Sequence, residues 1–187
     1  MSVSDRIFIR LTRPKAGGDK PFLPPGYIIE PKYNGWRVGI IKGKAYTRHG
    51  DPYPANWKEQ ELIERVGRTY PDLSFDGEFM GRRGGHTYLM LFDIIDDDMI
   101  WQERKDKLNG LHFQPFDVTK PWKAEGKICR SPFWRSGVDD VYKLLKMSND
   151  FDCDKGKETY EGVVIKKIST VYAMNDWIKF RFDQYIN

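Results

Sequence analysis

The 187-residue chain has two cysteines, three histidines and no long apolar run. Cys129 and Cys153 stand far apart with no histidine cluster beside them, which excludes a zinc site of ordinary spacing and fits a reducing compartment. No stretch approaches membrane-spanning length, and the N-terminus has no signal-peptide apolar core, so a soluble intracellular, cytoplasmic protein with no membrane partner is expected. There is no internal repeat and no low-complexity tract. Charge of one sign is also scarce. A formal net charge of +4 permits an anionic partner without requiring one. What the chain does have is aromatic residues, 6 Trp, 10 Tyr and 11 Phe, with 40% hydrophobic residues, enough to build a core.

One stretch organises the reading: Ile28-Ile29-Glu30-Pro31-Lys32-Tyr33-Asn34-Gly35-Trp36-Arg37. Two β-prone runs flank Asn34-Gly35, the dipeptide that most favours a two-residue hairpin turn with φ > 0 at both positions. That hairpin would pair Tyr33 with Trp36 and Lys32 with Arg37, placing Glu30, Lys32 and Arg37 on one face. Facing cations repel, so stability alone does not favour the arrangement, whereas a phosphate site does. The alternative is a surface hairpin with solvated charges.

Along the rest of the chain, Ile7, Ile9 and Leu11 suggest a short strand, and a Pro- and Gly-rich loop follows it. Residues 44–50 read as a strand and turn. Asn56 and Glu59 form a capping box ahead of an apolar stripe of Leu62, Ile63, Val66 and Tyr70. In the strand Phe75-Asp76-Gly77-Glu78-Phe79-Met80 the two carboxylates share one face, either as ligands or as the wet side of a half-buried sheet. Residues 88–95 are a buried strand, followed by Asp96-Asp97-Asp98 and a helix through Glu103, Arg104, Lys107 and Leu108. Residues 111–135 read as strands and loops. Ser136 opens a helix carrying Val141, Leu144 and Leu145, and 149–159 is expected to be a loop. Two strands close the pattern, Glu161 to Lys167 and Trp177 to Phe182. In the latter Lys179 and Arg181 point away from the core and Ile178, Phe180 and Phe182 into it. The sum is an α+β fold rich in antiparallel sheet.

Taken in order, these segments resemble the covalent nucleotidyltransferases, comprising ATP-dependent DNA ligases, RNA ligases and mRNA capping enzymes. Lys32-Tyr33-Asn34-Gly35-Trp36-Arg37 resembles the nucleotidyl-lysine motif Lys-x-Asp-Gly-x-Arg, and Thr47-Arg48-His49-Gly50 the motif Ser/Thr-Arg-x-Gly. Asp76-Gly77-Glu78, Leu91-Phe92-Asp93-Ile94, Glu161-Gly162-Val163-Val164-Ile165-Lys166 and Trp177-Ile178-Lys179-Phe180-Arg181 match the remaining core motifs. The resemblance is nearest to the DNA ligase branch and implies one adenylation domain over 1–187, with motifs from 30 to 181. Its core would be mainly antiparallel sheets flanked by helices. It further implies that Lys32 attacks the α-phosphate of ATP, with Mg2+ bound through Glu161. Arg37, Arg48, Lys179 and Arg181 would meet phosphate, Glu78 the ribose, and Phe92 and Glu30 the adenine. Lys166 belongs with them only if Gly162 opens its strand with a bulge, because strict alternation puts it opposite Glu161.

The implied substrate is nicked duplex DNA, or RNA, handled by a monomer. The alternatives are an RNA ligase, guanylyl transfer to an RNA cap, and a nucleotide- or nick-binding module without turnover. Two departures from the pattern stand out. Asn34 replaces Asp, and the motifs end close to the end of the chain, where the resemblance leads one to expect an OB-fold domain. The expectation is therefore a core with no OB-fold domain, a fragment or a minimal ligase whose missing function a separate protein would supply.

Overall fold

A computed structural model describes residues 11, 13–18, 20–82, 85–152, 158–174 and 176–182. Two sheets face each other. The smaller contains β1 (Lys15–Ala16), β2 (Tyr27–Tyr33), β9 (Tyr160–Lys167) and β10 (Trp177–Arg181), in the order β1-β10-β9-β2. The larger contains β3 (Trp36–Ile41), β4 (Lys44–Tyr46), β5 (Ser74–Met80), β6 (Tyr88–Ile94), β7 (Gln114–Pro115) and β8 (Ile128–Arg130), in the order β4-β3-β5-β6-β8-β7. Pairing is mainly antiparallel, with parallel pairs at β1–β10, β6–β8 and β7–β8. Among the described residues every strand belongs to one of these two sheets, and no OB-type barrel is present. Among the described residues no helix is long and apolar enough to cross a membrane.

Among the described residues three α-helices pack on this frame: α1 (Trp57–Thr69), α2 (Trp101–Gly110) and α3 (Val138–Asp152). Helix α1 starts where the sequence signals it. The Asn56 side chain accepts from Glu59 N–H, and the Glu59 carboxylate accepts from Asn56 N–H. Its stripe of Leu62, Ile63 and Val66 packs on Val38, Ile40, Phe75, Phe79, Leu89 and Leu91, the outward side chains of the larger sheet. A second core joins Val141 and Leu145 of α3 to Ile29, Tyr33, Val163 and Ile165 of the smaller sheet. Strand alternation then leaves Glu30 and Lys32 on one sheet facing Arg37 and Glu78 on the other.

The hairpin expected around Asn34-Gly35 does not form. Strand β2 pairs with β9, while β3 pairs with β4 and β5, so Tyr33 and Trp36 lie in different sheets. Neither Asn34 nor Gly35 has positive φ. The pair's own N–H groups have partners elsewhere. Asn34 N–H donates to Thr159 O at 3.0 Å, and Gly35 N–H to the Glu78 carboxylate at 2.6 Å. Gly35 is required by crowding, since a Cβ there would sit 2.4 Å from Phe79 O. Residues 149–152, expected in a loop, instead complete α3, where the buried Asn149 amide accepts from Tyr160 N–H and donates to Tyr160 O. Asp76 is not on a wet face but fully buried. The strand expected at Ile7 to Leu11 lies outside the described residues except for Leu11, which is buried.

Candidate active site

The cleft between the sheets gathers side chains from β2, β3, β5, β6, β9 and β10. Glu30, Lys32, Arg37, Glu78, Phe92 and Lys166 line one pocket, together with Val164 and Trp177. Lys32 on β2 is ion-paired with Glu161 on β9, and Arg181 on β10 stands 3.5 Å from the same carboxylate oxygen. A bulge makes this possible. Lys32 pairs with Gly162 and Tyr33 with Tyr160, so Glu161 is the extra residue. Gly162 has φ +148°, and a Cβ there would lie 1.9 Å from Phe180 O, so only glycine lets β10 approach at this point.

The bulge also resets alternation for the rest of β9. It carries Lys166 into the pocket, against Glu30 Oε2 at 2.7 Å and 3.9 Å from the centre of the Trp177 ring. Lys105 of α2 reaches the other Glu30 oxygen at 2.9 Å and Ser131 O at 2.8 Å. All three charges are buried: Glu30 and Lys105 are 1% exposed and Lys166 2%. Burial lowers the Lys105 pKa, partly offset by Glu30.

On the larger sheet, Arg37 makes a two-pronged pair with Asp76 at 2.6 and 2.5 Å. Tyr172 donates to the same carboxylate at 2.5 Å. The Arg37 guanidinium lies 4.8 Å from the Phe92 ring centre and 5.5 Å from that of Trp177, whose rings meet edge to face. Burial pushes Glu78 up to about 7 against the opposing pull of Arg37, the Gly35 N–H and Lys32. The Lys179 ammonium is shifted below its ordinary value by burial and then by Arg181 and Lys32, with Glu161 opposing.

Of the residues singled out in the sequence, Arg48 alone stands apart, on an exposed turn where its Nε donates to His49 at 3.0 Å. Asn34 donates through Nδ2 to Glu158 O at 3.0 Å, and its Oδ1 is buried with no partner among the described residues. Sequence reasoning named Asp76 as a possible ligand but not as the partner of Arg37, and it gave no role to Trp177, Tyr172 or Lys105. Trp177 was within reach, because strand alternation puts it on the face of Lys179 and Arg181. Lys105 and Tyr172 left no signal.

No protein-family profile and no curated protein sequence matches the chain. Solved structures do. A chain from a study of Lig E DNA ligases, on DNA binding with a minimal scaffold, superposes with a TM-score of 0.63 at 15% identity, covering 94% of this chain and 69% of that one. The ligase domain of M. tuberculosis LigD gives 0.58 at 15% identity, covering 83% and 53%. An archaeal ATP-dependent RNA ligase gives 0.51 at 20% identity, covering 85% and 43%. The fold is that of the nucleotidyltransferase domains. Within them it is the adenylation-domain fold of the ATP-dependent DNA and RNA ligases, as the motifs led us to expect.

Proposed function

We propose that the chain is a ligase-type nucleotidyltransferase that uses ATP to join polynucleotide ends, with nicked duplex DNA as substrate, in repair or replication. The observation that carries this reading is the meeting of Lys32 with Glu161 at the mouth of the Phe92–Trp177 pocket, flanked by Arg181. Lys32 Nζ bonds to the α-phosphorus of ATP as the bond to pyrophosphate breaks, leaving AMP on the lysine. The AMP passes to a 5′-phosphate, and a 3′-hydroxyl displaces it. Lys179 and Arg181 offset the negative charge gathering on the phosphate in transit. Phe92 stacks on the adenine, Glu30 accepts from it, and Glu78 holds the ribose. Arg48, outside the pocket, contacts a phosphate of the nucleic acid rather than of ATP.

Among the described residues no group of three or more His, Cys, Asp and Glu is arranged for a metal. Magnesium needs none, because it keeps several waters and borrows phosphate oxygens. Glu161, with its side chain 22% exposed, is the carboxylate placed to hold it, and when bound the ion supplies charge neutralisation at the phosphates. Lys32 attacks only once it has left Glu161 and given up a proton, since the ammonium of the ion pair has no free electron pair.

The test is incubation with α-labelled ATP or GTP and magnesium, followed by a denaturing gel. Label retained from ATP and not from GTP supports the reading. Retention from GTP alone points to cap-type guanylyl transfer, and no label to a binding module without turnover. Asn34, in place of the aspartate of the DNA ligase pattern, motivates a second reading, RNA end joining. Sealing rates on nicked DNA and nicked RNA separate the two. DNA binding through phosphates should also weaken steeply with salt.

A further inference from the structure

On the face of the larger sheet turned away from the cleft, an open pocket of about 610 Å³ lies between the C-terminal half of α1 and strands β7 and β8. Its Phe113 belongs to the core that α1 makes with that face, whereas Arg37 and Glu78 project from the other. The rim is cationic, with Arg65 and Arg68 from α1, Lys127 from the start of β8, and His112 beside them. The chain has 27 aspartates and glutamates, yet among the described residues none lines this pocket. Its floor is rigid. Tyr70, Phe75 and Phe113 meet edge to face with ring centres 5.2 to 6.2 Å apart, and the Tyr70 hydroxyl accepts from His112 N–H at 2.8 Å.

Exposed cations are ordinary on protein surfaces, and Arg68 in the last turn of α1 also suits the helix dipole. What is not ordinary is that these charges gather without compensation. Arg65 donates to Gly126 O at 3.1 Å and Lys127 to Lys123 O at 2.6 Å, both neutral carbonyls. Among the described residues neither they nor Arg68 enters an ion pair. Arg65 and Arg68 are one turn apart on the same side of α1, and the bond to Gly126 ties Arg65 to the segment that carries Lys127. Like charges in a concave surface repel and raise the local potential, and a bound anion relieves that repulsion. A guanidinium fork meets the oxygens of a phosphate in pairs. Two neighbouring forks therefore suit neighbouring phosphates, with the lysine as a point charge from the β8 side.

We propose that this pocket is a binding site for closely spaced phosphate groups, distinct from the nucleotide pocket at Lys32. The phosphates belong either to a free di- or triphosphate or to successive links of a single nucleic-acid strand. The site opens on the opposite face of the larger sheet, so its ligand leaves the cleft free. It stands on its own residues, whether or not Lys32 takes AMP.

The test is an amide-resolved NMR titration of the full chain with sodium pyrophosphate, and separately with a single-stranded oligodeoxynucleotide, without magnesium and at constant ionic strength. Saturating shifts are expected at the amides of Arg68, Tyr70, His112, Phe113 and Lys127. Arg68 and Lys127 are both exposed, so Arg68→Gln combined with Lys127→Gln leaves the core untouched. That variant should weaken binding here at least about tenfold and leave any shifts around Lys32 and Lys179 unchanged. Its spectrum away from the pocket reports whether the fold is kept. Pyrophosphate shifts that the oligonucleotide does not match mark a free phosphate ligand, whereas tighter binding by the oligonucleotide marks a strand. Shifts confined to the cleft, shifts reproduced by sodium chloride alone, or shifts that survive in the double variant would overturn the proposal.

Discussion

Glu161 reaches Lys32 because it is the extra residue of a bulge in β9, and Gly162 is what permits that bulge. Gly162→Ala should therefore be among the most damaging small substitutions in the chain. A Cβ 1.9 Å from Phe180 O forces β9 and β10 apart at a backbone angle that alanine avoids. A stability loss above about 2 kcal/mol is expected in urea denaturation, with loss of label transfer from ATP. A variant of wild-type stability would mean that the bulge is not built as described.

Asn34 is suited to its surroundings in a way aspartate is not. Its Nδ2 donates to Glu158 O, and a carboxylate would replace that bond with two facing acceptors. Asn34→Asp, although it restores the residue common in the DNA ligase motif, should cost about 1–3 kcal/mol in urea denaturation. An unchanged or raised midpoint would show that the Asn34 amide contributes nothing here.

The buried charges around Glu30 make a graded prediction. Glu30→Ala strands two buried ammonium groups, Lys105 and Lys166, and should cost about 3–5 kcal/mol. Lys105→Met should cost less, because Glu30 keeps Lys166 and the methionine refills the volume. If thermal denaturation ranks the two in reverse order, Lys105 rather than Glu30 is the centre of the network.

Glu78 gives a pH signature. Its folded-state pKa is pushed up to about 7 by burial from an ordinary value of 4.5. Between those two values the folded chain holds a proton that the unfolded chain has released. The contribution of Glu78 to stability is therefore greatest at the acid end and declines as pH rises toward 7, then levels off. Glu78→Gln should abolish this decline. Denaturation midpoints across that window, wild type against Glu78→Gln, check it. Parallel curves would mean that Glu78 ionises in the cleft as freely as in water.

Much of the site was legible in the sequence because its residues come in short local patterns. Alternation in β10 separates Lys179 and Arg181 from Phe180, and the Asn56–Glu59 pair announces α1. Lys166 was legible conditionally, through the bulge that Gly162 imposes. What misled the reading was long-range competition. Asn34-Gly35 has strong hairpin propensity, but β9 and β5 offer β2 and β3 better edges, so the two strands part into different sheets. Lys105 was invisible for a related reason. On α2 it reads as one more helical lysine, and only the packing of α2 against β6 brings it to Glu30, 75 residues away.

The central claim is that Lys32 is the residue that carries AMP. The most direct measurement is mass spectrometry of peptides from chain incubated with ATP and magnesium. The account predicts an AMP adduct on the Lys32 peptide, absent from Lys32→Ala and Lys32→Arg variants that retain the fold, because a guanidinium stays protonated and cannot attack. An adduct on any other residue, or one that survives in Lys32→Ala, would contradict it.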